Sequence, residues 1–229
     1  RYELGGDLCE VVPLSAERTL IAVGDASGDS VPAAMLMSAL RGALRALCGR
    51  PQPDPARTDE LMAELNRAVC AMTPAHQFMS LVFGVLDLRA LRFTYTNAGH
   101  PAPLLTRPAG GVEPLVSHGL LLGVSPDAAY RSSTIELRPG DVLALFSDGV
   151  TEAMSRQKRM FRTDGVAEAL RKHRTEPARD ILHAIWTMLE THLAGTTHGD
   201  DRTLLVMKIQ AARGEANSII HVGSRGSLG

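Results

Sequence analysis

The strongest constraint on the fold is the order in which two periodic patterns alternate along the chain. Strand-type runs at 8–14 and 18–24 predict a hairpin, and two segments of helical spacing follow it. Strand-type runs then fill the middle, before helical spacing returns near 166–170 and 181–189. The later predicted strands are 78–86, 91–96, 102–106, 112–116, 132–137, 142–146 and 203–209, with 132–137 and 142–146 as a second hairpin. This order predicts an α+β domain in which two mainly antiparallel sheets pack face to face and helices cover the outside.

Three helix starts are marked by residues that favour the first turn of a helix. Ser30 and Thr58 are the predicted caps of the first two helices, and Pro177 opens the last one. The apolar stripe of the first helix, which includes Met35 and Leu40, is interpreted as core rather than as a binding face.

Composition excludes several classes of protein. The chain has 229 residues, 45% of them hydrophobic, which is enough for one sizeable core, and its net charge is −1. This balance predicts no nucleic acid partner and no membrane contact by this segment, since no apolar run of spanning length occurs either. Three cysteines without metal-type spacing indicate reduced thiols and a cytoplasmic location. We assign 1–210 to one domain and expect 211–229 to be a disordered tail.

The most informative residues are aspartates at predicted strand ends. Asp7 and Asp25 lie on partner strands of the first hairpin, Asp148 follows a strongly apolar strand, and Asp200 and Asp201 precede the last strand. Carboxylates from separate strand ends can converge, and Mg²⁺ and Mn²⁺ prefer oxygen ligands. A single aspartate such as Asp148 before Gly149 is more often a turn residue than a ligand, and the spacing of the whole set leaves both interpretations open.

Other polar residues are interpreted mainly as structural. His100 lies in a Gly-Pro turn and either braces that loop or contacts substrate, while His198 is a loop histidine near Asp200. Ser27 and Ser147 adjoin aspartates, but neither lies in a nucleophile elbow, so serine hydrolysis is not predicted.

Five ordered motifs resemble those of one family. They are Gly5-Gly6-Asp7, Gly24-Asp25-Ala26-Ser27-Gly28 with Val31-Pro32-Ala33-Ala34, Asn97-Ala98-Gly99-His100-Pro101, Ser147-Asp148-Gly149-Val150-Thr151-Glu152, and Asp200-Asp201-Arg202-Thr203. Together they resemble the SpoIIE and sigma-factor-regulator (RsbU-like) branch of the bacterial PP2C-like (PPM) serine/threonine phosphatases. The fold that this resemblance implies is the four-layer αββα sandwich.

The resemblance also implies a site and a cofactor. Two divalent cations, Mn²⁺ or Mg²⁺, would be held by Asp7, Asp25, Asp148 and Asp200 with the backbone carbonyl of Ala26, and Asp201 is a further candidate. These four aspartates would act in catalysis through a water that the cations activate for attack on phosphorus.

The implied substrate is phosphoserine or phosphothreonine on a STAS-type anti-anti-sigma factor in a partner-switching pathway. Sensor domains and an opening strand are expected upstream. Two departures from the family pattern stand out: Glu10 where a second aspartate is usual, and Gly28-Asp29-Ser30, which puts a negative charge near the phosphate. The second departure keeps open the alternative of a weakly active or inactive phosphatase-like binding module.

Overall fold

The computed structural model describes residues 6–28, 31–48, 57–73, 77–116, 119–196, 200–210 and 217–225. Its helices and strands, in chain order, are β1 (Asp7–Pro13), β2 (Arg18–Ala26), α1 (Val31–Cys48), α2 (Thr58–Met72), β3 (Met79–Asp87), β4 (Arg92–Ala98), β5 (Leu104–Thr106), β6 (Val112–Pro114), β7 (Ser133–Glu136), β8 (Val142–Phe146), α3 (Asp148–Thr151), α4 (Arg162–His173), α5 (Ala178–Leu193), β9 (Arg202–Gln210) and β10 (Asn217–Arg225).

The chain forms two compact units. The first comprises Arg1–His100 and Val116–Glu136, and the second comprises Pro101–Leu115 and Leu137–Gly229. Each unit contains one five-stranded sheet, ordered β1-β2-β3-β4-β7 in the first and β10-β9-β8-β5-β6 in the second. Every strand pair in both sheets is antiparallel.

In the first unit, α1 and α2 pack on one face of the sheet. Apolar residues recur along α1 at helical spacing, and buried Leu40 and Leu44 share a core cluster with Met62 of α2 and Phe83 of β3. Met35 does not belong to this core, because its side chain is 67% exposed. The buried apolar stripe of α1 is therefore narrower than the sequence predicts.

In the second unit, α4 and α5 pack on the sheet in the same way. Leu170 of α4 and Ile185 of α5 join Phe146 of β8 and Leu204 of β9 in one cluster. All five residues of β8 are buried, so neither face of this strand meets solvent. The predicted fold class, α+β with two mainly antiparallel sheets and helix pairs, is confirmed.

Two local predictions are wrong. The segments around 132–137 and 142–146 do not form a hairpin, because β7 pairs with β4 whereas β8 pairs with β5 and β9. Thr58 does not cap α2: it is the first helical residue, and its buried hydroxyl lies 2.8 Å from that of Thr96. The other predicted cap, Ser30, lies outside the described residues.

The tail also differs from the prediction over part of its length. Residues 217–225 form β10, which pairs antiparallel with β9 along nine residues, so the expectation of disorder is wrong there. A strand of this kind takes its order from the hydrogen bonds of a neighbouring edge, which a search for local periodicity does not detect. The domain limits 1–210 stay a prediction.

Candidate functional site

In the first unit, two candidate aspartates face each other across a strand pair. Asp7 opens β1 and lies directly opposite Asp25 near the end of β2. Both are half-buried, while neighbouring residues of β2 are fully buried. The antiparallel register therefore brings this pair together, as the sequence predicts.

The Ala26 carbonyl belongs to the same corner of the first unit. A Cβ built on Gly6 would lie 3.4 Å from Oδ1 of Asp25 and 3.5 Å from the carbonyl oxygen of Ala26. Glycine thus leaves a space beside both oxygens that a Cβ would contact. A carboxylate oxygen and a carbonyl oxygen that border one space are a suitable donor set for a hard cation.

In the second unit, Asp148 and Asp200 come together. One carboxylate oxygen from each lies within 4.8 Å of the other. Asp148 begins the short helix α3 directly after β8, and Asp200 is exposed just before β9. Oδ1 of Asp148 is buried and has no hydrogen-bond partner among the residues that the structure describes.

The electrostatics of Asp148 fit a cation site. Burial, followed by the charges of Asp200 and Glu152, raises the pKa of Asp148, while the N–H of Gly149 acts in the opposite direction. Burying a carboxylate beside other carboxylates is unfavourable without a compensating charge. A divalent cation supplies that charge and a partner for the unpaired oxygen.

Ser147 fixes the strand ends that carry this pair. Its N–H donates to the carbonyl of Thr203 (3.0 Å), and the N–H of Thr203 donates back to its Oγ (2.9 Å). Its hydroxyl also lies 3.5 Å from the carbonyl of Asp201. Ser147 is fully buried and occupied by these bonds, so it joins β8 to β9 rather than serving as a nucleophile.

Gly149 is a functional position that sequence reasoning missed. A Cβ at this residue would lie 2.0 Å from the carbonyl oxygen of Asp201. Only glycine allows this approach between α3 and the residues before β9. Asp-Gly is also a common turn pair, so the sequence by itself does not reveal this contact.

Ser27 and His100 have structural roles in the first unit. Ser27 exchanges two hydrogen bonds with Phe78, at 2.9 and 3.0 Å. His100 is buried, its N–H donates to Oδ1 of Asn97, and its Nδ1 lies 2.7 Å from Oγ of Ser80. Of the two alternatives for His100, the structure supports bracing of the loop. His198 lies outside the described residues.

Glu10 has a partner that the sequence did not reveal. It is 5% exposed, and its carboxylate pairs with Nε of Arg41 at 2.6 Å and with Nη2 of Arg45 at 2.8 Å. Both arginines belong to α1. The residue that departs from the family pattern therefore holds α1 against β1. The other departure from the family pattern is Gly28-Asp29-Ser30, of which Asp29 and Ser30 lie outside the described residues.

Solved structures place the fold in a known class. The PP2C phosphatase domain of SpoIIE from Bacillus subtilis matches with a TM-score of 0.74 at 16% identity, covering 89% of this chain and 58% of that one. The RsbU and RsbW domains of Rv1364c from Mycobacterium tuberculosis match with a TM-score of 0.73 at 29% identity, covering 90% and 56%. The class is thus the PP2C-like phosphatase fold.

Sequence comparison then gives the family. The model of the family described as Stage II sporulation protein E (SpoIIE) matches residues 15–210, so the chain belongs to the SpoIIE family. The phosphoserine phosphatase RsbU of Bacillus subtilis (strain 168) is 29% identical over 208 residues, which are 90% of this chain and 60% of RsbU. The chain therefore spans about three fifths of that relative's length. The predicted resemblance, a PP2C-like serine/threonine phosphatase of the SpoIIE and RsbU branch, is confirmed.

Among the helices in the described segments, none has both the length and the apolar character required to cross a bilayer.

Proposed function

We propose that this domain is a metal-dependent protein phosphatase that hydrolyses phosphoserine or phosphothreonine. The observation that carries the proposal is the buried, unpartnered oxygen of Asp148 beside the carboxylate of Asp200. Similarity to RsbU supports the same reaction class, since that relative, which is 29% identical, is a phosphoserine phosphatase.

In this proposal, the domain binds two divalent cations, Mn²⁺ or Mg²⁺. Asp7, Asp25 and the carbonyl of Ala26 are the proposed ligands from the first unit, and Asp148 and Asp200 are the proposed ligands from the second. Asp201 is an additional candidate: its carbonyl lies 3.5 Å from Oγ of Ser147, and its N–H donates to Oδ1 of Asp200 at 2.8 Å. When bound, such cations lower the pKa of water and neutralise charge on phosphoryl oxygens.

Other residues of the chain hold the proposed ligands in position. Ser147 holds the strand ends that carry the second pair, and Gly149 permits their close approach. Glu10 keeps α1 against β1 through Arg41 and Arg45, close in sequence to Asp7. Rigid placement of this kind favours reaction because the groups need no rearrangement when substrate arrives.

The proposed substrate is a phosphorylated STAS-type anti-anti-sigma factor in a bacterial partner-switching pathway, and the proposed location is the cytoplasm. The family resemblance of the five motifs implies this substrate, and the RsbU relative, a phosphoserine phosphatase, supports phosphoserine as the group that is hydrolysed. Attached upstream sensor domains are part of the same proposal. The alternative, a weakly active or inactive binding module, differs only in turnover, so one experiment separates them.

That experiment measures release of phosphate from a serine-phosphorylated STAS-type protein with Mn²⁺, with Mg²⁺ and with chelator. Asp25→Asn and Asp148→Asn are the test variants, and Asp180→Asn is the matched control because Asp180 is exposed at the start of α5. We expect metal-dependent turnover that both test variants lose by at least about 100-fold and the control retains. Binding without turnover in any metal would instead identify a binding module.

A further inference from the structure

A compact hairpin follows the helix that carries Asp148. Met154 and Met160 form an isolated antiparallel bridge, and the chain reverses between them. The N–H of Ser155 donates to the carbonyl of Arg159 (2.9 Å), and the N–H of Arg159 donates to Oγ of Ser155 (3.1 Å). Lys158 adopts the left-handed conformation, with φ of 57°, that such turns require. We call residues 154–160 the basic hairpin.

The basic hairpin is fixed to the second unit through its backbone. The carbonyl of Arg159 lies 2.8 Å from Nε2 of His192, and Oγ1 of Thr196 donates to the carbonyl of Met154 at 3.3 Å. Phe161, the residue after the hairpin, packs edge to face on His192. Because backbone atoms make these contacts, the side chains of the turn remain available at the surface.

Those side chains carry a concentrated positive charge. Arg156, Lys158, Arg159 and Arg162 are all exposed. None of the ion pairs found in the described part of the chain uses them, although Arg41 and Arg45 are both paired with Glu10. Four cations within seven residues that have no ion pair with any described residue contrast with a chain whose net charge is −1.

Apolar surface accompanies the charge. Met154 and Met160 are 42% and 46% exposed, one at each end of the basic hairpin. Flexible thioether side chains adapt to irregular protein surfaces. A mixture of exposed methionine and arginine is typical of contact surfaces between proteins.

The basic hairpin also adjoins the proposed reaction centre. A cavity of about 350 Å³ joins it to α3, which begins with Asp148. The cavity is lined by Thr151, Glu152, Met160, Arg162, Thr163 and Asp164. The hairpin and the helix that carries Asp148 therefore border the same cavity, which places the hairpin beside a protein whose phosphoserine reaches Asp148.

We propose that the basic hairpin, together with Arg162, is a docking surface for an acidic face of the phosphoprotein substrate, beside its phosphoserine. This inference rests on the function proposed above. Cations that have no internal partner attract acidic side chains and speed their encounter. Glu152 and Asp164 in the adjoining cavity disfavour a continuous anionic polymer or lipid surface, whereas a folded protein can place single acidic and apolar side chains to match.

The test compares two variants that lose three positive charges each. One neutralises the turn of the basic hairpin, and the control neutralises three exposed cations on α4 and α5 of the same unit. The hairpin variant is Arg156→Gln, Lys158→Gln and Arg159→Gln, and the control is Arg171→Gln, Lys172→Gln and Arg179→Gln.

The primary measurement is the Kd for a serine-phosphorylated STAS-type protein in chelator, so that binding is read without turnover. We expect the hairpin variant to bind roughly tenfold more weakly and the control to bind like wild type. Added salt should weaken binding by wild type more than by the hairpin variant. With Mn²⁺, hydrolysis of p-nitrophenyl phosphate should be the same in all three proteins, because this small ester does not reach the hairpin.

The two proposals fail in different ways. Weaker binding by the hairpin variant, with no turnover by any protein, supports the docking surface and contradicts the phosphatase. An equal Kd for the hairpin variant and the control overturns the docking surface, whatever the turnover. Absence of binding by wild type also overturns it. If the hairpin variant loses the binding to phosphatidylserine vesicles that wild type shows, but keeps the wild-type Kd for the phosphoprotein, the docking surface is overturned. The basic hairpin would then be a membrane-binding surface.

Discussion

Replacing Gly149 by alanine tests how the second pair of aspartates is held. The added Cβ would lie 2.0 Å from the carbonyl oxygen of Asp201, whereas ordinary contacts begin at 3.4 Å. Either α3 or the backbone at Asp201 must therefore move by about 1.4 Å, the difference between these two distances. Neither can move freely, because Ser147 bonds to both Asp201 and Thr203.

Two results should follow from this displacement. Overpacking of a fixed backbone costs about 1–3 kcal/mol, which lowers Tm by roughly 2–10 °C in a chain of this size. A shift of about 1 Å at Asp200, next to the displaced carbonyl, should lower metal-dependent phosphate release about 100-fold. Differential scanning calorimetry measures the first effect, and release of phosphate with Mn²⁺ measures the second.

Gly42→Ala is the matched control. Gly42 is exposed within α1, and, apart from its chain neighbours and the nearby backbone of its own helix, no atom of the described residues lies within 4 Å of a Cβ built there. Alanine should raise helix stability by about 0.5–1 kcal/mol and leave activity unchanged. If Gly149→Ala kept wild-type Tm and turnover, the close approach of Gly149 to Asp201 would not be needed and the reasoning would be refuted.

Three further predictions concern other charged or buried groups. Asp148→Asn should stabilise the metal-free protein by about 1 kcal/mol because it removes a buried, repelled charge, and it should abolish the rise in Tm that Mn²⁺ produces; an unchanged response to Mn²⁺ would contradict the metal site. The double variant Arg41→Ala and Arg45→Ala should lower the urea-derived free energy of unfolding by about 2 kcal/mol, since Glu10 stays buried without a partner, and a loss below about 0.5 kcal/mol would refute this. Burial, then Glu10 and Asp7, raises the pKa of Cys9 to about 12, so the native thiol should resist labelling at pH 8. The unfolded chain loses this proton near pH 9 and the native thiol only near pH 12, so stability should fall as pH rises from 9 to 12, and Cys9→Ala should reduce that decline.

Local patterns predicted most elements of the fold. The first hairpin was predicted at 8–14 and 18–24 and lies at Asp7–Pro13 and Arg18–Ala26, because alternation and a polar turn act over short distances. The second hairpin failed for a related reason. A turn does form at Arg138, whose carbonyl accepts from the N–H of Asp141, but the flanking strands join different sheets. Local sequence specifies that the chain reverses, but it does not specify the strand with which each flanking strand pairs.

The sequence predicted the carboxylates of the candidate site but not the residues that hold them in place. Aspartates at strand ends were visible because an acidic residue after an apolar run is chemically unusual. The contacts of Gly149 and the bonds of Ser147 depend on residues more than fifty positions away, and no local pattern encodes them. The pairing of Glu10 with α1 was missed likewise, since its arginines lie thirty-one and thirty-five positions further along.

The pairing of Asp7 with Asp25 limits how the first hairpin can vary in length. Successive side chains of a strand point to opposite faces, so a slip of one residue between β1 and β2 would turn one of these carboxylates away from the other. The turn between Pro13 and Arg18 lies far from both aspartates along the strands, yet its length sets this register. Related chains should therefore accept an insertion in this turn only when the added residues bulge outward and leave the pairing unchanged.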